Sequence, residues 1–393
     1  MKILTVNSGS SSLKFNVIEL PEEKELINGY FQRIGIEGSF YYVKVNGEKT
    51  THEVELKNHA DAVECLKEEL LKNNIVSSLD EIEGVGHRVV HGGDKFSESA
   101  LITEEVLSEI DKFSELAPLH NPASLLCIKA FMEAMPGIPM VAVFDTAFHQ
   151  TMAPTEYMYA VPYSWYTEYG IRKYGAHGTS HRFINRTISE IMGREDLKVI
   201  SCHIGSGASV CAIKDGKSVD TTMGFSPLAG LMMGTRSGDM DPSIIPFVMQ
   251  KENKTCEEVL NDLNKNSGFI GVSGVSSDSR DIEEGVASGN ERCILAQNIF
   301  CQRVANYIAM YNNLLGGADV IVFTAGMGEN SADTRKDICN RIASLGVKID
   351  EEENNFRGKL KKFSTEDSSI PVYVVPTNEE LMIALDTYEI ISK

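Results

Sequence analysis

At 393 residues the chain is longer than a single hydrophobic core usually grows, so two domains are expected. With 42% hydrophobic and 24% charged residues, the composition excludes a disordered, collagenous or coiled-coil protein. A formal net charge of -19 repels polyanions and argues against general nucleic-acid or anionic-membrane binding, while leaving room for a local basic pocket.

The chain opens on a strand-like run, KILTV, with no basic region followed by a long apolar stretch. Nowhere do about 18 apolar residues run together, so neither a secretion signal nor a membrane span is expected. The eight cysteines are scattered without a CxxC pair, which fits reduced thiols in the cytosol.

After KILTV comes NSGSSSLK, a turn spanning Gly9 to Ser12, with Asn7 before it and Lys14 after it. Taken alone, such a turn is an ordinary surface reversal. KFNVIEL and SFYYVKV follow, the second ended by Asn46-Gly47, and predict an antiparallel meander. GVGHRVV and MVAVFDTA predict buried strands, and PASLLCIKAFMEAM predicts a helix started by Asn121-Pro122. Residues 198 to 213, KVISCHIGSGASVCAI, then repeat the opening half a chain later: His203 falls on Asn7, Gly205 on Gly9 and Ser206 on Ser10. The last run of this segment, VCAI, is joined to one further strand at Asp215-Gly216. Beyond them, CILAQNIFCQRVANYIAMYNNLL predicts a helix ending at Gly316-Gly317, and DVIVFTAG a buried strand running into a glycine turn. SADTRKDICNRIASLG and PTNEELMIALDTYEII complete the chain as helices, the last opening with Glu379 and Glu380.

The repeat implies two similar α/β domains facing each other across a cleft, each directing a Gly-rich turn inward. Backbone N–H groups in such turns approach anions closely, and Ser hydroxyls add donors. Neither turn is a P-loop, because no helix and no GK[ST] follows. Seven of the nine histidines lie between positions 87 and 203, around glycine turns that also carry Arg88, while Arg236 sits in MGTRSGDMDP. Arginines and histidines in loops after strands suit an oxyanion site. HRVVH and HGTSH have i, i+4 spacing but lack the Glu of HExxH, which disfavours zinc, and His87, His149 and His181 taken singly read as structural. Asp278 is as good an N-cap as a ligand contact, and Glu379 and Glu380 suit either a helix dipole or Mg²⁺.

Nine motifs in order, NSGSSSLK, GHRVVHGG, PLHNPA, FDTAFHQ, HGTSHR, HIGSGAS, MGTRSGDMDPS, FTAGMGENS and PTNEEL, make the chain resemble the acetate kinase family, in the acetate and sugar kinase, Hsp70 and actin superfamily. The resemblance implies two duplicated RNase H-like (actin-like ATPase) domains: residues 1–150, completed by a C-terminal helix at 378–393, and a nucleotide-binding domain at 151–377. It implies reversible, in-line phosphoryl transfer from ATP to acetate, giving acetyl phosphate and ADP, in a cytoplasmic homodimer that uses Mg²⁺ or Mn²⁺. In matching positions Asn7 and Glu379 organise the metal and Lys14 approaches the nucleotide phosphates. Arg88 and Arg236 bind the carboxylate and the migrating phosphoryl group, His177 stabilises that group, and Asp145 positions rather than acting as a base, since a carboxylate substrate is already ionised. His203, Ile204, Gly205, Ser206 and Gly207, with Asp278, Ser279, Arg280, Gly326, Met327, Gly328, Glu329 and Asn330, contact ATP. Val90, Leu119, Ala176 and Pro227 wall the acyl methyl.

Three positions depart from the family pattern. Ser206 replaces the Asn of HxGNG, Ala176 replaces the Phe of YGFHGTSH, and Met327 stands where Ile or Val is usual. Ala176 enlarges the acyl pocket, which raises propionate or butyrate as alternative substrates, and Ser206 with Met327 raises pyrophosphate as an alternative donor. An ATP-gated module like Hsp70 or actin is the reading from a different class.

Overall fold

The computed structural model describes residues 1–118 and 120–393; Leu119 lies outside the described residues. The chain divides into two compact units, Met1–Gln150 with Asn378–Lys393, and Thr151–Thr377. In the first, the strands are β1 (Lys2–Gly9), β2 (Ser12–Glu19), β3 (Lys24–Gln32), β4 (Phe40–Val45), β5 (Glu48–Glu53), β6 (Ile82–Val89), β7 (Ala100–Leu101) and β8 (Met140–Phe144). They form one sheet in the order β5-β4-β3-β2-β1-β6-β8-β7. In the second unit β9 (Lys198–Ile204), β10 (Ala208–Lys214), β11 (Lys217–Thr221), β12 (Val320–Thr324), β13 (Lys361–Lys362) and β14 (Val372–Val374) form a sheet in the order β11-β10-β9-β12-β14-β13.

The same five-strand plan recurs in both sheets. Three antiparallel strands form a meander, and its first strand then pairs in parallel with a fourth, which pairs in parallel with a fifth. This is the duplicated α/β fold expected from the repeat. The parallel strands carry continuous apolar runs, all five residues being buried in both β8 and β12, because helices cover both faces. Asn46-Gly47 and Asp215-Gly216 both take left-handed φ values, 51° and 87°, then 51° and 74°, which match the twist of a two-residue hairpin.

Gly84 and Gly86 in GVGHRVV have a packing reason. The C-terminal helix Glu379–Ile391 lies against β6, where a Cβ at Gly84 would come 2.7 Å from Ile391 Cδ1 and one at Gly86 would overlap the Thr387 hydroxyl. In the second unit the helix Glu291–Leu314, capped by Asn290, buries Cys293, Ala296, Phe300, Val304 and Ile308 along one stripe. One local expectation fails: the glycine turn after β12 is a short helix, Ala325–Asn330. Ala325 itself takes the left-handed conformation, with φ 65°, and Glu329 Oε1 accepts its N–H at 2.8 Å. A side-chain carboxylate therefore holds the reversal that glycine was expected to supply. Among the described residues no helix is long and apolar enough to cross a membrane.

Candidate active site

In the first unit, β1, β6 and β8 are adjacent and parallel, with Val6 beside His87 and Arg88 beside Val143. Asn7, Arg88 and Asp145 sit at or just past the carboxyl ends of these strands, where open α/β sheets bind ligands. The side chains of the three residues meet. Arg88 Nε donates to Asp145 Oδ1 at 3.0 Å, its Nη2 to Asp145 Oδ2 at 2.6 Å, and its Nη1 to Asn7 Oδ1 at 3.1 Å. The forked pair is nearly dry: the Asp145 side chain is 1% exposed and that of Arg88 22%. Burial works against the Arg88 charge, but Asp145 outweighs it and drives the guanidinium pKa upward.

Helix Glu379–Ile391 brings two more acids to this unit. Glu380 pairs with Lys14, whose pKa rises because the attraction of Glu380 overcomes the effect of burial. Glu379 Oε1 is buried and has no hydrogen-bond partner among the described residues. Burial, reinforced by Asp145 and Glu380 against the pull of Arg88 and Lys14, pushes the Glu379 carboxyl up to about 7. An orphaned carboxylate oxygen suits a hard cation, so Glu379 has the chemistry of a Mg²⁺ ligand, and Asn7 Oδ1, which accepts from Arg88, is an oxygen donor of the same kind.

In the second unit, His177 caps the helix Gly178–Met192 in a left-handed conformation, φ 58°. Its ring stacks on His203 with centroids 4.1 Å apart, and its Nδ1 lies 2.9 Å from Ser209 Oγ. A Cβ built on Gly207 would come 3.0 Å from Arg236 Nη2 and 3.4 Å from His177 Nε2. The bare glycine thus keeps open a space that a guanidinium and an imidazole both border. Arg236 Nη1 donates to the Pro227 carbonyl at 2.7 Å, and no ion pair joins Arg236 to a carboxylate among the described residues. Burial accordingly lowers its pKa.

A cavity of about 410 Å³ in the same unit is lined by Gly205, Ser206, Asp278, Ser279, Arg280, Gly326, Met327 and Asn330, together with Glu283, Ser331 and Arg357. Asp278 is both wall and cap, since its Oδ1 accepts the Arg280 N–H at 2.9 Å at the start of the helix Ser279–Ala287. Four other expected nucleotide contacts do not line this cavity. Ile204 is fully buried in the core, His203 Nδ1 meets Ser180 Oγ at 2.8 Å, the Gly328 carbonyl accepts from Arg335, and Glu329 Oε1 accepts from Ala325 and Thr377 N–H groups. Val90 and Ala176 are buried, at 8% and 4% exposure, in the first and second units respectively.

Sequence reasoning missed Arg335. Fully buried, it donates to Asn354 Oδ1 and to the carbonyls of Gly328, Glu329, Asn354 and Phe356, tying the segment before Arg357 to the Gly326–Asn330 wall. Burial lowers its pKa to about 10, and five carbonyl and amide oxygens stand in for a carboxylate. The available signal was its place on the stripe of Ile338 and Cys339, three and four residues on.

The profile of the acetokinase family matches residues 2–385, nearly the whole chain. The chain belongs to the acetokinase family. A relative named acetate kinase, from Bacillus velezensis, is 52% identical over 387 residues, covering 98% of each chain. The solved acetate kinase of Porphyromonas gingivalis superposes with a TM-score of 0.94 at 44% identity, covering 100% of both chains. A solved propionate kinase of Francisella tularensis superposes equally well, TM-score 0.94, at 41% identity over 99% of each. Solved kinases named for two different acids therefore share this fold in full, so the backbone alone does not choose between those acids.

Proposed function

We propose that the chain is an acetate kinase, moving the γ-phosphoryl group of ATP to acetate and running readily in reverse. The observation that carries this is the contrast between its two site arginines. Arg88 is neutralised and oriented by Asp145, whereas Arg236 is half-buried with only a carbonyl partner and borders the space before Gly207. A buried cation without an acid is costly until an anion joins it.

An acetate oxygen attacks the γ-phosphorus, the bond to the ADP oxygen breaks, and the electron pair leaves with ADP. No proton has to be removed from a carboxylate near neutral pH, so Asp145 aims Arg88 at the carboxylate rather than abstracting a proton. Arg236 and His177 serve the equatorial phosphoryl oxygens, where charge is spread in the transition state. The cavity at Ser206, Asp278 and Met327 receives the nucleotide, with Lys14 assigned to its phosphates. Asn7 and Glu379 would hold Mg²⁺, which when bound would supply positive charge against the phosphates.

A hydroxamate assay for acyl phosphate, run with ATP and then pyrophosphate against acetate, propionate and butyrate, tests the reading. Acetate with ATP is expected to give the largest specificity constant; ATP consumption that ignores the acid would instead support an Hsp70- or actin-like module. The small Ala176 favours a second acid. Propionate is expected to remain a substrate, and Ala176→Phe should steepen the fall with chain length by about tenfold per methylene. Equal slopes in the two proteins would remove Ala176 from the acyl pocket.

We further assign a cytoplasmic homodimer. No disulfide joins any of the eight cysteines among the described residues, and the helix Tyr163–Tyr169 leaves Tyr163, Trp165 and Tyr169 at 68%, 43% and 64% exposure, with Phe247 of the same unit at 60%. Large exposed aromatics are typical of interface cores. Sedimentation at micromolar concentration should give twice the 43.3 kDa chain mass, and Trp165→Glu with Phe247→Glu should return the monomer.

A further inference from the structure

Ser209 of β10 is wholly buried, and its hydroxyl touches two imidazoles: His177 Nδ1 at 2.9 Å and His181 Nε2 at 2.8 Å. Beyond His181, its Nδ1 meets the equally buried hydroxyl of Ser201 at 2.8 Å. The line Ser201, His181, Ser209, His177 follows from sequence and register. His177 and His181 are four apart where the helix Gly178–Met192 begins, Ser209 pairs with His203 across the β9–β10 ladder, and Ser201 is two residues along β9 from His203, on the same face.

A serine hydroxyl carries one proton and two lone pairs, and a neutral imidazole one N–H and one lone pair. If Ser209 accepted from both rings, its own buried O–H would have no acceptor among the described residues, which leaves the line two polarities. In the first, Ser201 donates to His181 Nδ1, His181 Nε2–H donates to Ser209, and Ser209 donates to His177 Nδ1. His177 then keeps its proton on Nε2. In the reverse polarity every bond is inverted and the last donor is the Ser201 hydroxyl. Among the described residues that hydroxyl has no partner besides His181, so a fully buried O–H would be left without an acceptor.

We propose that Ser201, His181 and Ser209 are positioning residues that fix neutral His177 as its Nε2–H tautomer. Nε2 borders the space before Gly207 that Arg236 Nη2 also borders, so the fixed tautomer presents an N–H donor there, the polarity a phosphoryl oxygen requires. The inference rests on the assignment of His177 to the phosphoryl group made above. It explains why a histidine read singly as structural, His181, is packed between two serines.

The test is tautomer-sensitive ¹⁵N NMR of the full-length protein labelled at histidine, at a pH about two units above the ordinary imidazole value. The His177 signals are identified by their loss in His177→Gln. The expected result is a His177 ring protonated at Nε2. In Ser209→Ala that preference should disappear and kcat should fall about tenfold, with KM for ATP and acetate within about twofold, whereas Ser209→Thr keeps the hydroxyl, the tautomer and most of kcat. Ser201→Ala, which removes only the terminal donor, should weaken the preference by itself and covers the case in which Ser209→Ala does not fold. A ring protonated at Nδ1 in the unmodified protein overturns the proposal, as does an unchanged tautomer in the alanine variants. Full activity in His177→Gln would instead overturn the role of His177 and leave the tautomer result standing.

Discussion

Arg88→Ala is expected to lose both activity and stability. The substitution removes the cation assigned to the acyl carboxylate, and the specificity constant for acetate in the hydroxamate assay should fall by about a thousandfold or more, the scale on which enzymes lose a charged group that meets the reacting centre. It also strands Asp145, whose side chain is 1% exposed and takes three of its contacts from this guanidinium. Breaking a buried pair by removing one partner costs about 3–5 kcal/mol, because the other charge stays in a low-dielectric site. Urea unfolding should therefore show a large drop in midpoint. Arg88→Ala combined with Asp145→Ala removes the stranded charge as well; stability should recover in part while activity stays lost. A single variant that unfolds like the parent protein would mean that Asp145 finds another partner, and retained activity would remove Arg88 from the acyl site.

The fold was legible because its periodicity is local. KILTV against KVISC, each before a Gly/Ser turn, exposed the duplication, and Asn46-Gly47 with Asp215-Gly216 placed two hairpins by their left-handed conformations. Buried strands such as MVAVF and VIVFT are apolar throughout and announce themselves. What failed was the reversal at Ala325, where Glu329 supplies through a side chain what the sequence led one to expect from glycine. The candidate site was legible only as a set of residue types in loops after strands. That Lys14 pairs with Glu380, that Arg335 is fully buried, and that Ser209 joins two histidines depends on register between segments far apart in the chain. No local pattern encodes such contacts. For Asp278 the cap is observed, and the same carboxylate also lines the cavity, so capping does not compete with the proposed ligand contact.

Arg236→Ala should separate the two losses that Arg88→Ala combines. Arg236 has a carbonyl partner and no carboxylate partner among the described residues, and burial already lowers its pKa, so its charge does little for the folded state before substrate binds. Removing it strands no opposite charge, and stability should change by about 1 kcal/mol at most in urea unfolding. Activity should fall by about 10³ to 10⁵, the range for an arginine that meets the phosphoryl group only as charge spreads over its oxygens. Because such a contact strengthens toward the transition state, the loss should sit in kcat with little change in KM for acetate. Arg236→Lys should rescue poorly, since an ammonium cannot keep the Pro227 carbonyl bond and also offer a planar fork toward the space before Gly207. Loss of stability as large as that of Arg88→Ala would show that the guanidinium is a structural strut, and loss confined to KM would show that it binds acetate and transition state alike.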